Sequence, residues 1–83
     1  MLVIFTKRAQ QDWRKLDRNV QNQLRKKLLF YLNSGKALNF ADVLVDTDLG
    51  EYRFRIGDYR IIFDFENDTI IVLRVGHRKD IYK

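Results

Sequence analysis

The sequence predicts an α+β domain of the order β-α-α-β-β-β, in which a mainly antiparallel, four-stranded sheet carries a two-helix hairpin on one face. Two observations support this prediction. Apolar residues recur every three or four positions in the first third of the chain, whereas apolar and polar residues alternate from Glu51 onwards. With 83 residues the chain has room for one hydrophobic core, so we expect residues 1–83 to form a single domain.

The chain opens with a predicted strand that leads into a helix. Leu2–Phe5 is a short apolar run, and the hydroxyl of Thr6 suits the N-cap of a following helix. We predict that this helix covers roughly Lys7 to Leu16, because its apolar side chains fall on one stripe. That stripe consists of Ala9, Trp13 and Leu16.

A second amphipathic helix is predicted next, capped by Asp17 or Asn19 and ended by Asn33-Ser34-Gly35. Residues 36–50 show no clear period and contain several acidic side chains, so we expect a connecting loop there. The apolar stripe of the helix consists of Val20, Leu24, Leu28 and Tyr31, and the loop is expected to bury Leu38, Phe40 and Leu44.

The strongest local pattern predicts a β-hairpin. Two alternating segments, 52–56 and 59–65, flank Gly57-Asp58, a pair typical of two-residue turns. Such a turn places Arg55 opposite Arg60. One face of the hairpin is then apolar and belongs to the core: Tyr52, Phe54, Ile56, Tyr59, Ile61, Phe63 and Phe65. The opposite face carries Arg53, Arg55 and Arg60 together with Ile62 and Asp64, and we expect it to remain in water.

A third strand is predicted from Ile70 to Val75. Arg74 joins the arginine face only if the preceding turn holds three residues, 67–69, because a two-residue turn would direct it into the aromatic core. We therefore predict the three-residue turn. Like charges opposite one another destabilise a sheet, so arginines without alternating carboxylates indicate that an anion such as phosphate binds between them.

The amino-acid composition indicates the cellular compartment of the protein and the class of molecule that it binds. The net charge of +5 favours a polyanion, because phosphates neutralised by Lys or Arg release counterions. The absence of cysteine removes disulfides and thiol chemistry and fits a reducing compartment, so we expect a cytoplasmic protein. The apolar run at the N-terminus is too short for a signal peptide or a membrane span, and no membrane partner is expected.

Two segments carry a resemblance to a known family. They are YRFRIGDYRIIF at 52–63 and VLRVGHRKDIY at 72–82. Together they resemble the RelE/ParE family of bacterial and archaeal toxins, and the tail of glycine, histidine, arginine and a final tyrosine fits the RelE branch better. The resemblance follows the element order of the whole chain and is weakest in the two helices.

This resemblance implies a toxin of a toxin–antitoxin pair that cleaves mRNA on the ribosome and is silenced by a cognate antitoxin. No metal and no cofactor are implied, because the 2′-hydroxyl of the RNA attacks the adjacent phosphate and the protein supplies positive charge and help with proton transfer. Arg60 and Arg78 match the phosphate-clamping arginines, and Tyr82 matches the C-terminal tyrosine. Further RNA or phosphate contacts are expected from Arg53, Arg55, Arg74 and Lys79.

The general base is the open question of this assignment. The chain has Arg53 and Arg55 where lysines are common in the family, and arginine does not readily accept a proton. Histidine titrates near neutral pH, which makes His77 the candidate base, with Tyr82 or the ribosome as alternatives. The antitoxin is expected to cover the face with Ile62 and the acidic loop.

Two other functions fit the same residues. A ParE-like inhibitor of DNA gyrase shares the fold and acts by binding a protein, and a catalytically degenerate homologue would bind RNA without cutting it. The arginines and the terminal tyrosine favour the nuclease, since a gyrase inhibitor has no need of them.

Overall fold

The computed structural model of the protein describes residues 1–82. Five strands form one mixed sheet in the order β1-β5-β4-β3-β2. In chain order the elements are β1 (Leu2–Phe5), α1 (Lys7–Arg14), α2 (Arg18–Asn33), a 3-10 helix (Ala37–Phe40), β2 (Asp42–Val43), β3 (Tyr52–Ile56), β4 (Tyr59–Glu66), β5 (Thr69–His77) and α3 (Arg78–Ile81).

The α+β class and the helical hairpin are confirmed, but the predicted number of four strands is wrong. The sheet has a fifth strand, β2, which lies in the predicted loop and pairs with β3 through Asp42 and Arg53. The sheet is mixed, because β1 runs parallel to β5 at the opposite edge, and its other three pairings are antiparallel, in agreement with the prediction of a mainly antiparallel sheet. Two residues are too few to show an alternating pattern, which explains why β2 leaves no signal in the sequence.

The helix boundaries follow local chemistry. The hydroxyl of Thr6 accepts a hydrogen bond from the backbone N–H of Ala9 at 3.1 Å, as expected of an N-cap. α1 ends at Arg14 rather than Leu16, because the last turn tightens into bonds from the Lys15 and Leu16 amides to carbonyls three residues earlier. Asp17 occupies the N-cap position of α2, although its side chain makes no capping bond.

The turn between β4 and β5 differs from the prediction. It holds two residues, Asn67 and Asp68, both with positive φ, so that Glu66 pairs with Thr69. A bulge further along β5 compensates for the shorter turn: Phe63 pairs with Val72 and Ile62 pairs with Arg74, which leaves Leu73 as the extra residue. Arg74 is therefore opposite Ile62, as intended by the prediction, but the bulge rather than the turn sets this register.

The apolar face of the hairpin packs against the helices as predicted. Its largest fully buried side chains include Phe54, Phe63 and Ile61, which join Leu24 of α2 in one core. Of the loop residues expected to be buried, Leu38 and Leu44 are half-buried whereas Phe40 remains exposed. None of the helices within residues 1–82 is long and apolar enough to cross a membrane.

The second face of the sheet is only partly left in water, which corrects the prediction: Arg55 is exposed, but the part around Ile62 is covered. Ile62 is 0% exposed, because the segment before β3 crosses this face. A Cβ at Gly50 would lie 2.8 Å from Cγ2 of Ile62 and 2.9 Å from Cδ1 of Leu73, so only glycine allows this close approach. α3 adds a second cover with Ile81, which is 1% exposed and faces Gly76. Ile62 is therefore unavailable as the antitoxin contact that the sequence predicted.

Candidate active site

The end of the sheet formed by β2, β3 and β4 gathers arginines around one carboxylate. Arg55 of β3 pairs directly with Arg60 of β4, as the two-residue turn predicted. Oδ2 of Asp42 lies 2.8 Å from Nε of Arg55 and 3.2 Å from Nη2 of Arg53. A carboxylate of the neighbouring strand therefore lies between Arg53 and Arg55, and the binding of phosphate among the three arginines stays a prediction.

Arg53 connects this carboxylate to the C-terminal segment. Its Nε donates to Asp42 at 3.2 Å and its Nη1 donates to the hydroxyl of Tyr82 at 2.8 Å. The bond to Tyr82 raises the pKa of Arg53 above the ordinary value of arginine, and the charge of Asp42 contributes in the same direction against the effect of burial. Arg53 is therefore a permanent cation that holds Tyr82 and cannot act as a base.

Arg60 and Arg78 both contact the turn between β3 and β4. Nη1 of Arg60 donates to the carbonyls of Gly57 and Tyr59, both at 2.9 Å. The backbone N–H of Arg78 donates to the carbonyl of Asp58 at 2.7 Å, and its Nε lies 3.6 Å from Oδ1 of the same residue. The turn thus positions both guanidinium groups, and within residues 1–82 Arg60 forms no ion pair with a carboxylate.

His77 has a structural role that the sequence did not reveal. It is the N-cap of α3, and its Nδ1 accepts a hydrogen bond from the backbone N–H of Lys79 at 3.1 Å. Its ring also packs edge-on against Tyr59, with the centroids 5.3 Å apart. Because Nδ1 is engaged as the acceptor of the Lys79 amide, the role of His77 as a base stays a prediction that this contact does not favour.

Arg74 points away from the other arginines. Its Nε donates to Oδ2 of Asp12 at 2.8 Å, and the same carboxylate oxygen accepts the backbone N–H of Val75 at 3.0 Å. Because β1 ends at Phe5, the backbone N–H of Val75 on the outer edge of β5 has no strand partner, and it donates to Asp12 of α1 instead. The expected contact of Arg74 with phosphate stays a prediction that this geometry does not favour.

The predicted site residues therefore fall into three groups. The first group is linked in a continuous chain of contacts by Asp42 and the turn at Gly57-Asp58, and it consists of Arg53, Arg55, Arg60, Arg78 and Tyr82. His77 and Lys79 form the start of α3 beside this chain, with Lys79 exposed. Arg74 belongs to a separate ion pair with Asp12. Asp42 was missed because it lies in the segment without periodicity, and only its pairing with Arg53 shows its place.

Comparison with known proteins shows the family of this chain. The family model described as the ParE toxin of type II toxin–antitoxin systems, parDE, matches residues 3–82, which is nearly the whole chain. The chain belongs to the RelE/ParE toxin superfamily. A stretch of 31 residues is 58% identical to Toxin RelE3 of Methanocaldococcus jannaschii and covers 37% of this chain. The matched stretch spans only 35% of the length of that curated relative.

Solved structures assign the toxin to the RelE-like branch. The RelBE2 toxin–antitoxin complex of Mycobacterium tuberculosis contains a chain with a TM-score of 0.76 and 28% identity, over 93% of this chain and 96% of that one. The RelB–RelE complex of Methanococcus jannaschii gives 0.72 and 29%, over 95% and 94%. The isolated RelE toxin of E. coli gives 0.71 and 28%, over 98% and 89%.

Proposed function

We propose that this RelE-like chain, with residues 1–83 acting as one toxin domain, cleaves mRNA on the ribosome by promoting attack of a 2′-hydroxyl on the adjacent phosphate. The single observation that supports this best is the chain of contacts at one end of the sheet, in which Arg55 pairs with Arg60, the turn at Gly57-Asp58 contacts Arg60 and Arg78, and Arg53 bonds to Tyr82. Cleavage on translating ribosomes would place its action in the cytoplasm.

The arginines are suited to the charge that develops at phosphorus. In the attack the 2′-oxygen bonds to phosphorus and the bond to the 5′-oxygen breaks, so the non-bridging oxygens gain negative charge on the way. The side chains of Arg55 and Arg78 are 60% and 57% exposed and remain accessible to RNA. Arg60 is held by the backbone carbonyls of Gly57 and Tyr59 and brings a charge that no carboxylate of residues 1–82 neutralises.

Tyr82 is oriented for a contact with the substrate. Its oxygen accepts a bond from Arg53, and a guanidinium has no acceptor, so the hydroxyl proton of Tyr82 is directed away from Arg53. Tyr82 is 44% exposed, which leaves that proton accessible to a phosphate or a ribose oxygen. We assign to Tyr82 the role of orienting the scissile group. Proton transfer is assigned to Tyr82 or to groups of the ribosome, because the arginines stay protonated.

The proposal includes an antitoxin as the partner that holds the toxin inactive. The M. tuberculosis and M. jannaschii chains named above were solved in complexes with antitoxins. A basic protein of +5 net charge fits a partner with an acidic segment that competes with RNA for the arginines. Binding of such a partner to the folded toxin would also raise its stability.

The test uses purified toxin, translating ribosomes and a defined message. Primer extension should reveal new 5′ ends within translated codons, and the upstream fragments should carry 2′,3′-cyclic phosphate ends. The same message without ribosomes is the control. A supercoiling assay with DNA gyrase tests the ParE-like alternative, and the proposal fails if gyrase is inhibited while no new RNA ends form. Stalled ribosomes with intact message would instead indicate RNA binding without cleavage.

A further inference from the structure

We infer that Asp42 is a positioning residue of this site and that it fixes Arg53 against the hydroxyl of Tyr82. The consequence for catalysis rests on the proposed function, whereas the contacts themselves do not. Asp42 lies on the short edge strand β2, directly opposite Arg53 in the register. Because β2 has only two residues, the side chain of Asp42 is a main link between this edge of the sheet and the arginines.

Asp42 determines where the guanidinium of Arg53 lies. Nε and Nη2 of Arg53 both face Oδ2 of Asp42 at 3.2 Å, and Nη1 is left to donate to Tyr82 at 2.8 Å. All three nitrogens are thus engaged, and the side chain is only 26% exposed. A planar guanidinium held along one side can present its remaining nitrogen in one direction, which is the geometry that orients a hydroxyl.

Tyr82 depends on this support because little else holds its side chain. It follows the four-residue helix α3, and chain ends of this kind fray unless a contact ties them down. Ile81 is buried and anchors the backbone of α3 against the sheet. Within residues 1–82, however, no aromatic ring packs against Tyr82, and its hydroxyl is bonded to the side chain of Arg53. Loss of Asp42 should release Arg53 and, through it, the phenol.

The alternative role for Asp42 is that of an internal competitor for phosphate. The exposures argue against it. Arg55 is 60% exposed despite its contact with Asp42, and Arg60 and Arg78 do not contact Asp42 in any of the described ion pairs. Phosphate can therefore bind to these three groups while Asp42 stays in place. Asp42 thus positions the guanidinium of Arg53 and does not block the phosphate site.

The test compares Asp42→Asn with the matched control Asp46→Asn. Both changes remove one negative charge from the same segment, and Asp46 is exposed with a φ of 55°, a conformation that asparagine adopts readily. In single-turnover cleavage with saturating ribosomes, Asp42→Asn should lower the rate about tenfold to a hundredfold, since misplacement of a reacting group costs this much. The toxin concentration for half-maximal rate should stay within about twofold, because binding is carried by other arginines.

A structural readout separates this inference from the proposed function. The NMR signals of the Arg53 Nε–H and of the Tyr82 ring should shift in Asp42→Asn but not in Asp46→Asn, and the Arg53 Nε–H should exchange faster with solvent in Asp42→Asn. Asp42→Glu should restore part of the cleavage rate and of the wild-type signals. Unchanged signals, a rate equal to that of the control, or tighter RNA binding at an unchanged rate would each overturn the inference. If the wild-type protein cleaves no message while the signals still shift, the proposed function fails and the positioning of Tyr82 by Asp42 stands.

Discussion

Arg55 of β3 is the direct cross-strand partner of Arg60 of β4, so two like charges face each other at the end of the sheet. Such a pair is unfavourable by a fraction of a kcal/mol, and Asp42 neutralises only the Arg55 side of it. The sheet keeps this arrangement although it does not need it for stability. That relationship is what a binding site for an anion requires, and it makes separate predictions for stability and for activity.

Arg60 should be dispensable for folding. Arg60→Gln removes a charge that no carboxylate of residues 1–82 neutralises and keeps a long polar side chain, so the free energy of unfolding should stay within about 0.5 kcal/mol of the wild type. Urea denaturation measures this difference. A loss above about 2 kcal/mol would assign Arg60 a structural role instead.

His77 should act as a helix cap and not as a base. His77→Asn keeps a side-chain acceptor at the N-cap of α3 and should retain cleavage, whereas His77→Ala should lose about 1 kcal/mol of stability. Cleavage rates and thermal unfolding of both variants decide the matter. An equal and large loss of cleavage in both variants, with stability unchanged in His77→Asn, would support the base.

Asp12 should be the most sensitive carboxylate for folding. It is 8% exposed and serves both Arg74 and the Val75 amide, so Asp12→Ala should cost about 3 kcal/mol, the low end for breaking a buried pair because Arg74 is a quarter exposed. Asp17→Ala is the control, since that side chain is exposed and makes no capping bond; its cost should stay below about 1 kcal/mol. Equal urea midpoints for the two variants would contradict this role.

Tyr31 should make the fold sensitive to alkaline pH. Burial raises the pKa of Tyr31, whose ring stacks on Phe40 and lies tilted against Phe54. The unfolded chain then loses this proton first, so the native state binds more protons and stability falls as pH rises from about 10, the ordinary tyrosine pKa, through the raised value. Stability measured between pH 8 and 11 should fall more steeply for the wild type than for Tyr31→Phe. Parallel curves would show that Tyr31 does not contribute.

The hairpin from Tyr52 to Phe65 could be predicted from the sequence in detail, because alternation and the Gly57-Asp58 turn are local signals that together determine the register. The bulge at Leu73 could not, since it follows from how β5 fits between two neighbours rather than from its own pattern. The four residues of α3 are likewise too few for a helical period.

The same distinction explains which parts of the candidate site were predictable. The pairing of Arg55 with Arg60 depends only on the hairpin, and it was correctly predicted. The acidic partners of Arg53 and Arg74 come from β2 and α1, which lie 11 and 62 residues earlier in the sequence and outside the hairpin. No local pattern connects Asp12 with Arg74, 62 residues later, so the sequence assigned Arg74 to the arginine face without its ion pair.

The central claim is that guanidinium groups at the end of the sheet bind the phosphate at which mRNA is cut. The most direct measurement is the rate at which new 5′ ends form on translating ribosomes for Arg60→Gln and Arg78→Gln, with Arg18→Gln, an exposed arginine of α2, as the control. We predict a loss of about a hundredfold to a thousandfold for the first two variants and no change for the control. Wild-type rates in Arg60→Gln and Arg78→Gln, with the wild type itself active, would contradict the account.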